Sequence, residues 1–135
     1  MALSTTVFNA LIKTHHITSR KKVSHLKKHA HKHVSYVLLR SGGAPGLMYV
    51  EGSEDGVREW VAAVQGLRYK DYHLLRKPAP LEDSHDHGAA AGQNLEMASD
   101  EEFEEAESVA RFASRIEKRG VLQWWRSAMG YRHGN

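Results

Sequence analysis

The stretch "SYVLLRSGGAPGLMYVE", Ser35 to Glu51, decides how the rest of the chain is read. Its two flanks, Ser35–Arg40 and Leu47–Glu51, are short apolar runs of strand type, joined by "SGGAPG". Glycines at 42, 43 and 46 permit backbone angles closed to other residues, and Pro45 fixes one more, so a β-hairpin is expected. A glycine-rich loop can also cradle phosphate, but that use needs a strand running into a helix whose amides face the anion. Here the loop joins strand to strand.

Working outward, Phe8–Ile17 ("FNALIKTHHI") alternates roughly and is read as a strand. Thr18 and Ser19 then offer a cap for a helix over Arg20–His33. Its apolar residues Val23, Leu26, Ala30 and Val34 form a narrow stripe at spacings of three and four. Beyond the hairpin, Ser53 caps a second helix whose first turn holds Glu54 and Asp55, where acids suit the positive end of the helix dipole. Val57, Trp60, Val61 and Val64 give it a core stripe, and Gly66 is a stop. Tyr72–Lys77 reads as a fourth strand ended by Pro78 and Pro80. The order strand-helix-strand-strand-helix-strand, with right-handed crossovers, predicts an α+β fold of ferredoxin-like form. Its four-stranded antiparallel sheet would carry both helices on one face and leave the other bare.

The remainder divides in two. Leu81 to Ala98 is a Gly, Ala, His and acid mixture without period, read as a flexible acidic linker over 81–98. Ser99–Glu102 has the form of a capping box opening a helix to about Arg119, with Phe103, Ala106, Ala110, Ala113 and Ile116 on adjoining turns. Gly120 ends it, and "VLQWWRSAMG" makes a further short helix with Leu122, Trp125 and Met129 available for burial. That apolar area is expected to dock residues 99–135 on the core of residues 1–80.

The net charge is only +3, but its layout is uneven. Met1 to Val50 holds eight Lys or Arg and no acid, whereas Glu82 to Glu107 holds ten acids and no Lys or Arg. The two poles would steer partners by sign, and salt would weaken that steering. With no cysteine, disulfides, thiolate metal sites and thiol catalysis are excluded. No apolar run approaches the roughly 20 residues of a membrane span, and no signal peptide pattern opens the chain, so an intracellular protein without membrane contact is expected.

Several short signatures fall in one order: His15-His16, then Ser19-Arg20-Lys21-Lys22, Gly43-Ala44-Pro45-Gly46, Val50-Glu51-Gly52, Tyr69-Lys70-Asp71-Tyr72 and "LQWWRSAMG" over Leu122–Gly130. The chain resembles the carboxy-terminal domain shared by RWD-domain-containing proteins of unknown function and by the spliceosomal tri-snRNP pre-mRNA-processing factor. The resemblance covers most of residues 8–77 and, more loosely, 100–130. It implies a ferredoxin-like domain, RNA as partner and a nuclear location. No RWD domain is read ahead of residue 8, so an excised or stand-alone version of the domain is expected.

Ser19 to Val34 concentrates six Lys or Arg and four His with no acid. Helices built for solubility mix signs to gain ion pairs at spacing four, and this one repels itself unless something negative sits nearby. RNA binding is therefore expected from Arg20, Lys21, Lys22, Lys27 and Lys28, with Lys13 and Arg40 on neighbouring strands. Tyr49 and His15 are candidates for stacking on the open sheet face, as in other RNA-binding sheets, and His16 is a further candidate RNA contact. Of the two histidines, one is expected packed under a helix and the other near that face, because neighbours in a strand point oppositely.

The bland alternative is a solvated helix face. A metal site has a spacing argument, since His25, His29 and His33 recur at four, but the surrounding lysines oppose a dication and no Cys or acid completes a shell. His85 and His87 beside Asp83 and Asp86 would bind metal only weakly. No metal or cofactor is expected, and no nucleophile turn or nucleotide fingerprint points to an enzyme. The rival function is a protein-interaction module acting through the acidic helix and Trp124-Trp125. A linked expectation is autoinhibition, with Glu101, Glu102, Glu104, Glu105 and Glu107 lying on the basic surface of a monomer.

Overall fold

Residues 6–81 and 102–131 are described by a computed structural model. In chain order the elements are β1 (Phe8–Thr14), α1 (Arg20–His33), β2 (Tyr36–Arg40), β3 (Gly46–Gly52), α2 (Glu54–Gly66), β4 (His73–Pro80), β5 (Phe103–Ala106), α3 (Val109–Lys118) and α4 (Leu122–Met129). The fold is α+β, with one five-stranded mixed sheet in the order β4-β1-β3-β2-β5. β1–β4, β1–β3 and β2–β3 pair antiparallel, and β2–β5 pairs parallel.

Capping fixes the helix starts. Ser19 Oγ accepts from Lys22 N at 3.2 Å, and Ser53 Oγ accepts from Gly56 N at 3.0 Å, each satisfying one free amide of a first turn. The start of α2 sits against the end of α1 so closely that a Cβ on Gly56 would overlap the His33 carbonyl. Glycine there is a condition of packing.

Strand alternation sorts side chains between two cores. Ala10 and Ile12 of β1, Val37 and Leu39 of β2, and Met48 and Val50 of β3 face α1 and α2, where they meet Leu26, Trp60 and Val64. Leu11, Leu38, Leu47 and Tyr49 face the opposite way and meet Phe112, Ile116 and Trp125 of α3 and α4. The face expected to be bare is thus covered by the carboxy-terminal helices, and Trp125 is only 2% exposed. Burying side chains of this size is worth roughly 1.5–3 kcal/mol each, so the second core is integral to the domain.

Several boundaries differ from the sequence reading. The sheet has five strands because Phe103–Ala106 is extended, not helical. Phe103 and Ala106 are three apart, which suits a helix face, but Glu104 and Glu105 turn to opposite sides of the sheet, as a strand requires. The helix begins only after Ser108, whose Oγ accepts from Arg111 N at 3.1 Å. Ser99, the expected cap, lies outside the described residues, as do Glu101 and all but the first residue of the 81–98 segment. β1 ends at Thr14, since the His15 N–H turns away to the Lys70 carbonyl at 2.9 Å. β4 continues through Pro78 and Pro80 because it is an edge strand, where the amide proline lacks has no ladder partner on the outer side. Among the described residues, no helix is long and apolar enough to cross a membrane.

Candidate nucleic-acid interface

α1 lies across the first core with Val23, Leu26 and Ala30 inward. Helical geometry therefore divides its cations among three directions. Lys21, Lys28 and Lys32 recur at seven and four and point to solvent; all three are exposed. Arg20, Lys27 and His31 lie on the side toward β5, whereas Lys22, His25, His29 and His33 lie toward α2.

The β5 side is partly neutralised. Arg20 donates two hydrogen bonds to the Glu105 carboxylate, at 2.9 and 2.8 Å, and Ser41 Oγ donates a third at 2.7 Å. The bond to Arg20 is the main reason the Glu105 carboxyl is held below its ordinary value, and the same bond raises the guanidinium. His31 Nδ1 stands 3.6 Å from Glu102 Oε1. Between α1 and β5 runs a groove of about 790 Å³ whose lining includes Lys27, Lys28, Lys32, Ala30, His31 and Phe103. Among the described residues, Lys21, Lys27, Lys28 and Lys32 have no carboxylate at ion-pair distance.

The α2 side is quieter. Lys22 Nζ stands 4.8 Å from the centre of the Tyr69 ring, a cation–π geometry, and burial pushes the Tyr69 hydroxyl up to about 12. His29 is held below its ordinary value by burial first, then by His33 and His25. The imidazole centres are 6.5 Å apart for His25–His29 and 4.5 Å for His29–His33. Among the described residues, no three His, Asp or Glu side chains gather into a metal-binding group. His85, His87, Asp83 and Asp86 lie outside the described residues.

The expected surface does not hold together as one. Lys13, Arg40 and Tyr49 belong to the strand positions that face α3 and α4, on the far side of the sheet from α1: Lys13 pairs with Leu47, and Leu47 with Arg40. Tyr49 is 0% exposed and cannot stack on a base. Its ring meets Trp124 edge-on at 5.6 Å, and its hydroxyl donates to Glu51 and accepts from Asn9. Burial, then the Glu51 charge, pushes that hydroxyl far up. Arg40 is half-buried and donates to the Pro45 carbonyl at 3.3 Å, bracing the hairpin loop. Lys13 remains exposed on that face.

His15 and His16 also depart from expectation. Both are exposed just past the end of β1, with ring centres 4.7 Å apart, so neither is packed under a helix. His15 Nδ1 stands 3.4 Å from Asp71 Oδ2. Asp71 and Arg68 hold left-handed angles (φ 57° and 58°) that place this turn beside the histidines.

The residues that sequence reasoning passed over are those joined across long separations. Glu51 and Arg119 form a buried ion pair, 7% and 12% exposed, and the Arg119 guanidinium also covers the Tyr36 ring at 3.9 Å. Burial opposes the charge of Arg119, but the Glu51 carboxylate keeps the guanidinium above its ordinary value. Tyr36 in turn donates to Glu104 at 2.5 Å. Glu51 at the end of an apolar strand was the one available signal, since a buried acid needs a partner. Compared with models of known protein families and with curated proteins, the chain matches none.

Proposed function

We propose that this chain is a non-catalytic RNA-binding module of ferredoxin-like form, with β5, α3 and α4 as additions, and that its contact surface is the outer side of α1. One observation supports the reading above others: Lys21, Lys28 and Lys32 line a solvent-facing row, Lys27 flanks it, and no carboxylate among the described residues stands at ion-pair distance from them. Four like charges on neighbouring turns repel one another, and a phosphate backbone relieves that repulsion while releasing its own counterions. His15 and His16 extend the surface beyond the amino-terminal end of α1. Lys13, Arg40 and Tyr49 are not part of it. A nuclear, RNA-processing setting rests on the resemblance to the spliceosomal factor's domain.

The rival reading, a protein-interaction module acting through the tryptophans, has less to draw on, because Trp125 is buried in this chain's own second core. The test is a titration with single-stranded RNA across a range of salt. Four phosphate contacts give a log–log slope of about −2.8. Lys21→Glu, Lys27→Glu and Lys28→Glu together should weaken binding at least a hundred-fold while leaving the circular dichroism spectrum unchanged. Association that is absent, or insensitive to salt, contradicts the proposal.

A further inference from the structure

The groove between α1 and β5 has a composition that a plain phosphate-binding surface does not need. Its floor includes the half-buried Phe103 ring and Ala30, and its α1 wall carries Lys27, Lys28 and Lys32. Among the described residues β5 is the edge of the sheet, pairing with β2 alone. Val37 N donates to the Glu102 carbonyl and Ser41 N to the Ala106 carbonyl, so the carbonyls of Glu102 and Ala106 face β2. A strand residue turns its N–H and C=O to the same side, and successive residues alternate. Phe103 and Glu105 therefore present their amides and carbonyls to the open edge, beside the groove.

An aromatic floor, a row of ammonium groups at one wall and peptide groups that pair with no other described strand at the other make a set that a nucleotide matches part by part. The base stacks on Phe103 and reaches the peptide edge, while phosphates on either side meet the lysines. An unstacked base is required for this, and a duplex keeps its bases inside. The volume, about 790 Å³, is within the range of small-ligand sites.

Building on the RNA reading above, we infer that the α1–β5 groove is a base-stacking subsite that selects single-stranded RNA, with Phe103 as the platform and Lys27, Lys28 and Lys32 as its phosphate contacts. Phe103 acts here as a recognition residue, whereas Lys28 and Lys32 belong both to the groove wall and to the exposed outer row that gives sequence-independent attraction. The Glu102 carboxylate near His31 marks the polar end of the groove.

The experiment compares the full chain with Phe103→Leu, which keeps apolar bulk against the core but removes the ring, and with Phe103→Tyr, which restores it. Fluorescence anisotropy is read with a short oligouridylate and with an RNA duplex of equal length. Phe103→Leu should weaken the single strand about ten-fold and leave the duplex unchanged, and Phe103→Tyr should recover the loss. Crosslinking of the unaltered chain to 4-thiouridine RNA, read by mass spectrometry, should label the peptide containing Phe103. Equal losses for strand and duplex, no loss at all, or labelling confined to other peptides would overturn the groove assignment while leaving the basic surface standing. Absence of RNA binding by the unaltered chain would remove both.

Discussion

Arg119 and the lysines of α1 carry the same charge and are put to opposite uses. Arg119 is largely buried on the second face of the sheet, bound to Glu51 and laid over Tyr36, so its charge is answered inside the protein. Lys21, Lys28 and Lys32 stand on the first face with no carboxylate among the described residues at ion-pair distance. A count of basic residues cannot separate the two cases. What separates them is packing: α3 and α4 cover the second face around Glu51, so Arg119 is satisfied there by an internal carboxylate, whereas α1 exposes the whole side opposite its narrow apolar stripe.

The sharpest way to break this comparison is to remove each kind of cation in turn. Arg119→Ala leaves the Glu51 carboxylate buried without its partner and should cost about 3–5 kcal/mol in urea denaturation. Lys28→Ala should change stability by less than about 0.5 kcal/mol. If the two were equal, the division into internal and external cations would be wrong. Next in size is the effect on binding. Charge reversal at Lys21, Lys27 and Lys28 should lower RNA affinity at least a hundred-fold, about 2.7 kcal/mol, with the melting temperature unchanged.

Gly56→Ala probes the seat of α1 itself. The added Cβ would meet the His33 carbonyl, which is backbone and cannot turn aside, so α1 must shift on the core. A loss of about 1–3 kcal/mol is expected, together with weaker RNA binding than the loss of stability alone explains. The smallest effect concerns β5. Glu105→Gln keeps the shape of the side chain but removes the charge that holds Arg20, and the freed guanidinium should raise RNA affinity a few-fold and steepen the salt slope toward about −3.5. Acid should act in the same direction. The Glu105 carboxyl sits below its ordinary value in the folded chain, so its bond to Arg20 contributes stability at neutral pH, and that contribution is lost as pH falls below about 4.5 through the lowered value.

These contrasts also show where the sequence was legible. The cap-and-stripe pattern of α1 and α2 and the Gly-Pro hairpin are local features, and the structure has helices over Arg20–His33 and Glu54–Gly66 with the hairpin between. Phe103–Ala106 departs from the helical reading because a spacing of three suits a helix face, whereas in the strand Phe103 and Ala106 serve opposite cores, and four residues are too few for periodicity to decide. Lys13, Arg40 and Tyr49 part from α1 for a different reason. Their alternation with Ile12, Leu39 and Met48 was readable, and it already put them on the face away from α1. What could not be read was that the carboxy-terminal helices close that face, because the cover comes from residues far along the chain. The pairing of Glu51 with Arg119, sixty-eight positions apart, is beyond local pattern for the same reason.

On the proposed reading, polyanion contact belongs to α1 and its neighbour β5, not to the face under α3 and α4. An NMR titration of the full chain with single-stranded RNA tests it most directly. Amide shifts are expected along Arg20 to Lys32 and at Phe103, fading with added salt, with Phe112 to Met129 undisturbed. Shifts concentrated on α3 and α4, or none on α1, would contradict it.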